Sequence, residues 1–498
     1  MKLIGILHKR FRRFKHFKIV LLLLSVGVIV AVIWNITGNK SKPLCEKCNV
    51  ILVSLDTLSA LHLPCYGYER NTAPNLCAYA DKNVFFQNSY SQAPITLDSH
   101  FSIFTSLYPH THKMVEILKN SLDEKYLTLA QLFRFNGYQT IYHGSLTDLH
   151  LPLNRGIERG FNIIEGDSTI DSWKSAYSKL SEKVGGQQPL FLFLHTYAVH
   201  KPYLTGHQTK HLFTDIPEYP NISLTQEELH KLSPEFFSFV SDLILDNNYY
   251  YKNSKTIVIE RQIAEKLKLQ KNLQETKKIF DILPDYVKGY CYIAWNQFKI
   301  NKNDSKQVEY LKALYDEQIY NLDKKLGELF KLMDDPKLSK NTILIITADH
   351  GEEFMEHGNL GHGLNLFSTL TKVPLIIHIP GVEPKKIKEM VQGIDIYPTA
   401  LSLTGLKPES KIEGIDLTGM IKGNKNAVKN KYLSSEYKGV SGIQLQNWRF
   451  YYWAKKGIGM SLYNLDTDPL EQRDVLPQNA KKVNEIIKLI NSSPAFFQ

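Results

Sequence analysis

Two carboxylates in this chain stand directly after apolar runs of strand length. Asp56 follows NVILVSL (49–55), and Asp349 follows TILIIT (342–347) with only Ala348 between. Asp349 opens the run Asp349-His350-Gly351-Glu352-Glu353, and His357 and His362 come soon after. In open α/β sheets, ligands bind beyond the carboxyl ends of strands. A carboxylate from each of two strand ends, joined by an imidazole, can hold a divalent cation. A lone Asp after a strand also reads as a turn or helix cap. Three histidines within 13 residues of loop do not read as packing alone. A third segment, Ala93 to Pro109, reads as a loop running into a helix. Thr96 or Ser99 would there either cap the helix or place a hydroxyl beside free N–H groups, where an anion is favoured. A fourth, His195 to Tyr203 (HTYAVHKPY), brings His200 and Lys201 to the same sheet edge.

These residues need a sheet to position them. Residues 138–143 (YQTIYH), 190–195 (LFLFLH) and 374–379 (PLIIHI) are further apolar runs of strand length. Such runs fit strands buried on both faces, and their alternation with helical patterns argues for an α/β domain. Residues 308–332 (VEYLKALYDEQIYNLDKKLGELFKL) predict an amphipathic helix leading into the strand before Asp349. Residues 204–305 read as a helical insertion, either a lid over the α/β core or a solvated elaboration. From about residue 405 the pattern changes to short strands (WRFYYWAKK, SLYNL) and a terminal helix at 479–491, which predicts a small α+β C-terminal subdomain.

Hydrophobic residues make up 43% of the 498 and charged residues 22%, as in a folded globular protein. Of the net charge of +10, seven positive charges lie in residues 1–18, which hold no acid. The basic balance is therefore a topology signal and does not mark a nucleic-acid-binding face. Residues 19–36 form an apolar run that, with Lys18 snorkelling, spans a bilayer. The basic segment before it keeps the N-terminus in the cytoplasm. The expectation is a single-pass membrane anchor, with a cleaved signal peptide as the alternative. Either way the bulk of the chain is expected to lie outside the cytoplasm, periplasmic or extracellular. Residues 37–48 are a linker. In that setting Cys45 and Cys48 read as a local disulfide or incidental thiols, and Cys65 and Cys77 as a pair that could form in an oxidising compartment.

Seven collinear segments resemble the sulfatase family of the alkaline-phosphatase superfamily. They are NVILVSLDTL, HLPCYGYERNTAPNL, APITLDSHFSIFTSLYP, FLFLHTYAVHKPY, ITADHGEEFMEHGNLGHG, and the later pair IDIYPTALSLTGL and SLYNLDTDPLEQRDVL. The resemblance implies an alkaline-phosphatase-like three-layer sandwich with a large central sheet, over residues 49–404, followed by the subdomain 405–498. It implies Asp56, Asp349 and His350 as metal ligands and Thr96 at the nucleophile position. His200 and His362 would contact the anionic group or protonate the leaving oxygen. His100 falls where sulfatases carry an Arg, and it would bind substrate with Lys201 and His357.

Departures from the family pattern sharpen the chemistry. Sulfatases make formylglycine from Cys or Ser in a C/S-x-P-x-R motif. Here the stretch is Thr96-Leu97-Asp98-Ser99-His100, so no formylglycine is expected. Thr57 replaces the second Asp of the family's pair. The remaining Asp, Asp, His set resembles that of the superfamily's phosphoethanolamine and phosphoglycerol transferases and phosphonate hydrolases. An imidazole ligand favours Mn²⁺ or Zn²⁺, with Ca²⁺ and Mg²⁺ as remaining candidates. The expected function is a metal-dependent hydrolase or transferase cleaving a phosphate- or sulfate-type ester of a glycan, lipid or small molecule. The alternative is a non-catalytic member of the fold that binds an anionic glycan or lipid.

Overall fold

The computed structural model describes residues 43–114, 121–144, 151, 155–166, 172–173, 175–176, 188–203, 212–213, 300–453 and 459–491. The proposed anchor (19–36) and nearly all of the proposed insertion lie outside the described residues. Among the described residues no helix is long and apolar enough to cross a membrane.

In chain order the strands are β1 (Asn49–Leu55), β2 (Val84–Tyr90), β3 (Gln139–His143), β4 (Ile163–Glu165), β5 (Leu190–Thr196), β6 (Thr342–Thr347), β7 (Glu353–Phe354), β8 (Leu360–Gly361), β9 (Leu375–His378), β10 (Lys385–Gln392), β11 (Leu433–Tyr437), β12 (Val440–Leu445), β13 (Trp448–Trp453) and β14 (Gly459–Asn464). Eight of them form one sheet in the order β10-β2-β9-β6-β1-β5-β3-β4. It is mixed: β1 runs parallel to β5 and β6, while β9 is antiparallel to both its neighbours. The five apolar runs named from sequence all become strands. Strands β2 and β10 are not expected from sequence, because VFFQNSY and KKIKEMVQ carry too many polar residues to read as doubly buried.

The sheet is covered on both faces. One face turns Ile51, Val53, Leu55, Leu192, Leu194, Leu344 and Ile346 into a single core with two helices. These are α1 (Pro74–Asp81) and the long helix α3 (Ser305–Leu332), which contributes Leu311, Leu322, Leu326 and Leu329. The other face carries Phe193 against Phe104 of helix α2 (Thr96–Thr105), their ring centroids 4.9 Å apart. It also stacks Phe191 on Phe133 at 4.6 Å. Residues in register on neighbouring parallel strands share a face, so Leu52 and Phe193, and Ser54 and His195, look the same way. This is the α/β arrangement that the alternating pattern predicts, in the layers that the family resemblance implies.

The amphipathic helix expected at 308–332 is α3, extended back to Ser305 because Asp304 caps it by accepting from the Lys306 and Gln307 N–H groups. The C-terminal strands β11 to β14 form an antiparallel sheet. Ile443, Phe450 and Leu462 of that sheet pack on Val483 and Ile486 of the terminal helix α4 (Ala480–Asn491). Cys45 and Cys48 form one disulfide, Cys65 and Cys77 another.

Candidate metal and ester-cleaving site

Strands β1 and β6 are adjacent and parallel, so Asp56 and the Asp349-His350 pair emerge side by side at one sheet edge. One ligand atom from each of Asp56, Asp349 and His350 lies within 4.8 Å of the other two, and all three residues are fully buried. At that spacing two carboxylates repel by roughly 3–4 kcal/mol even at an effective dielectric near 20.

The loops around them are held rigidly. Asp349 Oδ1 accepts from the main-chain N–H of Thr57 at 3.1 Å and of His350 at 2.8 Å. Thr57 adopts φ +58°, a left-handed conformation that is rare for a β-branched residue. Its hydroxyl donates to the Asp56 carbonyl at 2.7 Å. Tyr315 of α3 fixes the same turn, donating to the Thr57 carbonyl at 2.7 Å and accepting from the Ser59 N–H at 3.0 Å. At Gly351 a Cβ would lie 2.2 Å from the Thr369 carbonyl oxygen, so the loop after His350 needs glycine to pack this closely.

The group fits a divalent cation by its donor chemistry. His350 Nδ1 donates to the Gly351 carbonyl at 2.9 Å, which fixes the tautomer and leaves the Nε2 lone pair facing the carboxylates. Burial pushes the His350 imidazole down to about 4, against the pull of Asp349, so it stays neutral as a ligand must. Burial raises the Asp349 carboxyl, but the His350, His100 and His195 imidazoles outweigh it and hold it below the carboxylate range. Asp349 Oδ2 has no hydrogen-bond partner among the described residues and stands 3.4 Å from His350 Nε2.

Thr96 is the first residue of α2. Its Oγ1 lies 3.3 Å from Asp56 Oδ2 and 3.4 Å from His350 Nε2, so the hydroxyl reaches two of the three candidate ligand side chains at once.

Next to this group stand two more of the expected histidines. The His362 ring centroid is 4.6 Å from that of His350 and 5.0 Å from that of His200. His362 Nδ1 donates to Glu352 Oε1 at 3.0 Å, and Glu352 Oε2 accepts from Tyr203 at 2.9 Å. Burial works against charge on His362, but the Glu352 carboxylate prevails and holds the imidazole above its ordinary value. His200 Nδ1 donates to the Lys201 carbonyl at 2.7 Å. The Lys201 ammonium is lowered by burial, with Glu352 opposing the fall.

Two expected residues sit differently. His100, itself on α2, turns back under the start of that helix: Nδ1 donates to the Thr96 carbonyl at 2.8 Å and Nε2 meets Ser54 Oγ at 2.9 Å. Both nitrogens are committed to protein atoms. His357 is not brought to the cluster by its contacts. It stacks on Phe367 at 3.5 Å and Nε2 donates to the Leu470 carbonyl at 2.9 Å. Sequence reasoning passes over His195, Glu352, Tyr203 and Tyr315. His195 faces Asp56 Oδ2 at 3.3 Å, and its place beside Ser54 in the β1–β5 register is the available signal. Glu352 is in view within the D-H-G-E run, but nothing in spacing pairs it with His362 and Tyr203.

The family model described as Sulfatase matches residues 48–406, and one described as N-sulphoglucosamine sulphohydrolase, C-terminal, matches 356–493. The chain is similar to a Delta 4,5-hexuronate-2-O-sulfatase of Bacteroides thetaiotaomicron, at 21% identity over 86% of this chain and 85% of that protein. Among solved structures it is similar to a protein in complex with its substrate D-glucosamine-2-N,6-O-disulfate. That likeness has a TM-score of 0.65 at 18% identity and covers 90% of this chain and 97% of the other. It is also similar to the phosphonate monoester hydrolase of Agrobacterium radiobacter, with a TM-score of 0.58 at 17% identity, covering 89% and 95%.

Proposed function

The chain belongs to the sulfatase family and is an ester hydrolase by that membership, and from this premise we propose that it cleaves a phosphate- or sulfate-type ester of an anionic glycan through Thr96. The observation that carries the reading is the Thr96 hydroxyl within 3.4 Å of both Asp56 and His350, two members of the buried Asp56-Asp349-His350 group.

A divalent cation held by Asp56, Asp349 and His350 would neutralise charge on the ester and acidify an adjacent hydroxyl. The chain's own residues supply the rest. Thr96 gives up its hydroxyl proton, with Asp56 Oδ2 at 3.3 Å in reach to accept it, and its Oγ attacks the central phosphorus or sulfur, that bond forming as the bond to the leaving oxygen breaks. His362, held as a proton donor by Glu352, protonates the leaving oxygen, with His200 beside it. His362, now neutral, takes the proton of a water or alcohol that attacks the same central atom, and Thr96 leaves and recovers the proton it gave up. His100 and Ser54 hold the first turn of α2 in place from beneath.

Threonine decides between substrates. A formylglycine hydrate expels sulfate by elimination, a route closed to threonine. A threonine ester must be displaced at the central atom, which favours phosphorus, and the likeness to a phosphonate monoester hydrolase supports that. The sulfate reading stands second, on the relative named a hexuronate 2-O-sulfatase. The basic segment before residues 19–36 and the two disulfides support placing the catalytic part outside the cytoplasm.

The test is the full chain against 4-nitrophenyl phosphate, bis(4-nitrophenyl) phosphate, 4-nitrophenyl phenylphosphonate and 4-nitrophenyl sulfate, with Thr96→Ala alongside. Turnover should fall at least about 10³-fold in Thr96→Ala, with the melting temperature and bound metal unchanged. Full activity in that variant refutes the reading.

A further inference from the structure

We propose that the turn joining β11 to β12, at Tyr437 and Lys438, forms a subsite for a second anionic group on the substrate, beyond the ester that reacts. The inference rests on the ester-cleavage reading and goes further, because the C-terminal sheet has no part in the chemistry described so far.

The turn is mounted on the loop that leads to the nucleophile. Glu436 N–H donates to the Gln92 carbonyl at 2.8 Å, and Ser435 Oγ donates to the Ser91 carbonyl at 2.6 Å. The Glu436 carboxylate accepts from His110 Nδ1 at 2.6 Å. The turn also meets the loop that carries His362. A Cβ added at Gly363 would lie 2.9 Å from Ile95 Cγ2 and 3.6 Å from the Tyr437 hydroxyl. Ile95 precedes Thr96, and Gly363 follows His362. The Tyr437 hydroxyl therefore stands beside Gly363, the residue that follows His362, where Gly363 also meets Ile95, the residue that precedes Thr96.

Lys438 extends that wall. Tyr437 pairs with Val440, so Lys438 and Gly439 form a two-residue hairpin turn, at φ +46° and +81°. Both central positions of this turn type need φ above zero, where Asn or Gly is the unstrained choice. A lysine in that conformation is strained by its Cβ. Strain of this kind concentrates where a side chain serves a ligand. The Lys438 ammonium lies 4.8 Å from the Tyr437 ring centroid, and its side chain is exposed. Its charge is felt by Asp98, a fully buried carboxyl on the first turn of α2. Burial pushes that carboxyl up to about 8, so it takes no full charge from the lysine near neutral pH. Among the described residues no ion pair engages the Lys438 ammonium, and its exposure opens it to an outside anion. Leu364, 59% exposed and next to Gly363, adds an apolar edge on which a sugar ring can rest.

The ligand class follows from these groups: a saccharide whose reacting ester enters toward Thr96 and whose second sulfate, phosphate or carboxylate reaches Lys438. Calorimetry on the full chain tests it, with glucosamine 6-sulfate against glucosamine 2-N,6-O-disulfate, and glucose 6-phosphate against glucose 1,6-bisphosphate. The wild type should bind the doubly anionic member of at least one pair about tenfold more tightly. Lys438→Ala should bring that ratio close to one, and Lys438→Glu should invert it. Tyr437→Phe should weaken both members of the pair alike. A melting curve on each variant confirms that the hairpin still folds. Equal affinity within both pairs in the wild type, no binding of any of the four, or a preference that survives Lys438→Glu overturns the proposal. Because binding is read without turnover, a failure of 4-nitrophenyl ester cleavage would count against the ester-cleavage reading separately.

Discussion

Two buried carboxylates of this protein, Asp349 and Asp316, differ in who satisfies them. Asp316, on α3, is fully buried, and three side chains donate to it: His62 Nδ1 at 2.7 Å, Tyr68 at 2.6 Å and Arg70 at 2.7 Å. Arg70 continues outward to Glu309. Asp349, equally buried, takes two main-chain N–H groups on Oδ1, while Oδ2 has no hydrogen-bond partner among the described residues and lies in the cluster with Asp56. The first arrangement closes a charge network and locks α3 to the segment 62–70. The second leaves like charges together and one oxygen uncommitted, which suits a cation. Burial alone does not tell a structural carboxylate from a ligand. The identity of its donors does.

The largest effect should come from exchanging the two. In Asp349→Asn, turnover of the best aryl ester should fall at least about 10³-fold, while the metal-free protein should lose only the part of its stability that the depressed carboxyl contributes near neutral pH. In Asp316→Asn the order reverses. Removing one partner of a buried ion pair costs about 3–5 kcal/mol, and activity per folded molecule should persist. Denaturant melts and active-site titration of both variants read this directly. A stable but inactive Asp316→Asn would break the comparison.

Metal binding separates the pair next. A ligand present at about a thousand times its dissociation constant stabilises the folded state by about 4 kcal/mol. Adding Mn²⁺ or Zn²⁺ to chelator-treated protein should therefore raise the melting temperature of the wild type, of Thr96→Ala and of Asp316→Asn. Asp349→Asn should show no such rise. A full rise in Asp349→Asn would remove that residue from the ligand set.

One side of this contrast is legible in the amino-acid sequence and the other is not. Asp56, Asp349 and His350 can be named because strand-length apolar runs end just before them, and parallel strands deliver their ends to one edge. Thr96 is legible through its place at the start of a helix and through the family resemblance. The lock around Asp316 is hidden. Its partners lie about 250 positions away, and inside α3 Asp316 sits in a polar-looking stretch, LYDEQIY, where an acid reads as solvated surface. The placement of the His100 ring is not legible in the sequence for a related reason. A histidine four residues after Thr96 is one helical turn along, so its ring returns to the Thr96 carbonyl instead of reaching outward. The strands β2 and β10 escape notice because Gln87 and Asn88 in the first, and Lys385, Lys386, Lys388 and Glu389 in the second, interrupt the apolar run, which suits the sheet's flank and is unlike the continuous runs at its centre.

The smallest effect is in acid, and its sign follows from the same donors. Burial raises the Asp316 carboxyl, but His62, Tyr68 and Arg70 together bring it below its ordinary value. A carboxyl depressed on folding binds more protons unfolded than folded. Its contribution is therefore present above the unfolded value, near pH 4, and is lost as pH falls through the folded one. Each such proton gives a slope of about 1.4 kcal/mol per pH unit within that window. Asp349 is depressed as well, by imidazoles, so metal-free wild type should lose stability below about pH 4 through both carboxyls. Asp316→Asn and Asp349→Asn should each flatten that limb by about one proton. Added cation then tells them apart. Protons compete with a metal for Asp349 and not for Asp316, so saturating Mn²⁺ should steepen the acid limb in Asp316→Asn and leave it unchanged in Asp349→Asn. Denaturant midpoints from pH 3 to 6, with and without Mn²⁺, measure this. Equal steepening in the two variants would mean that Asp349 does not bind the cation.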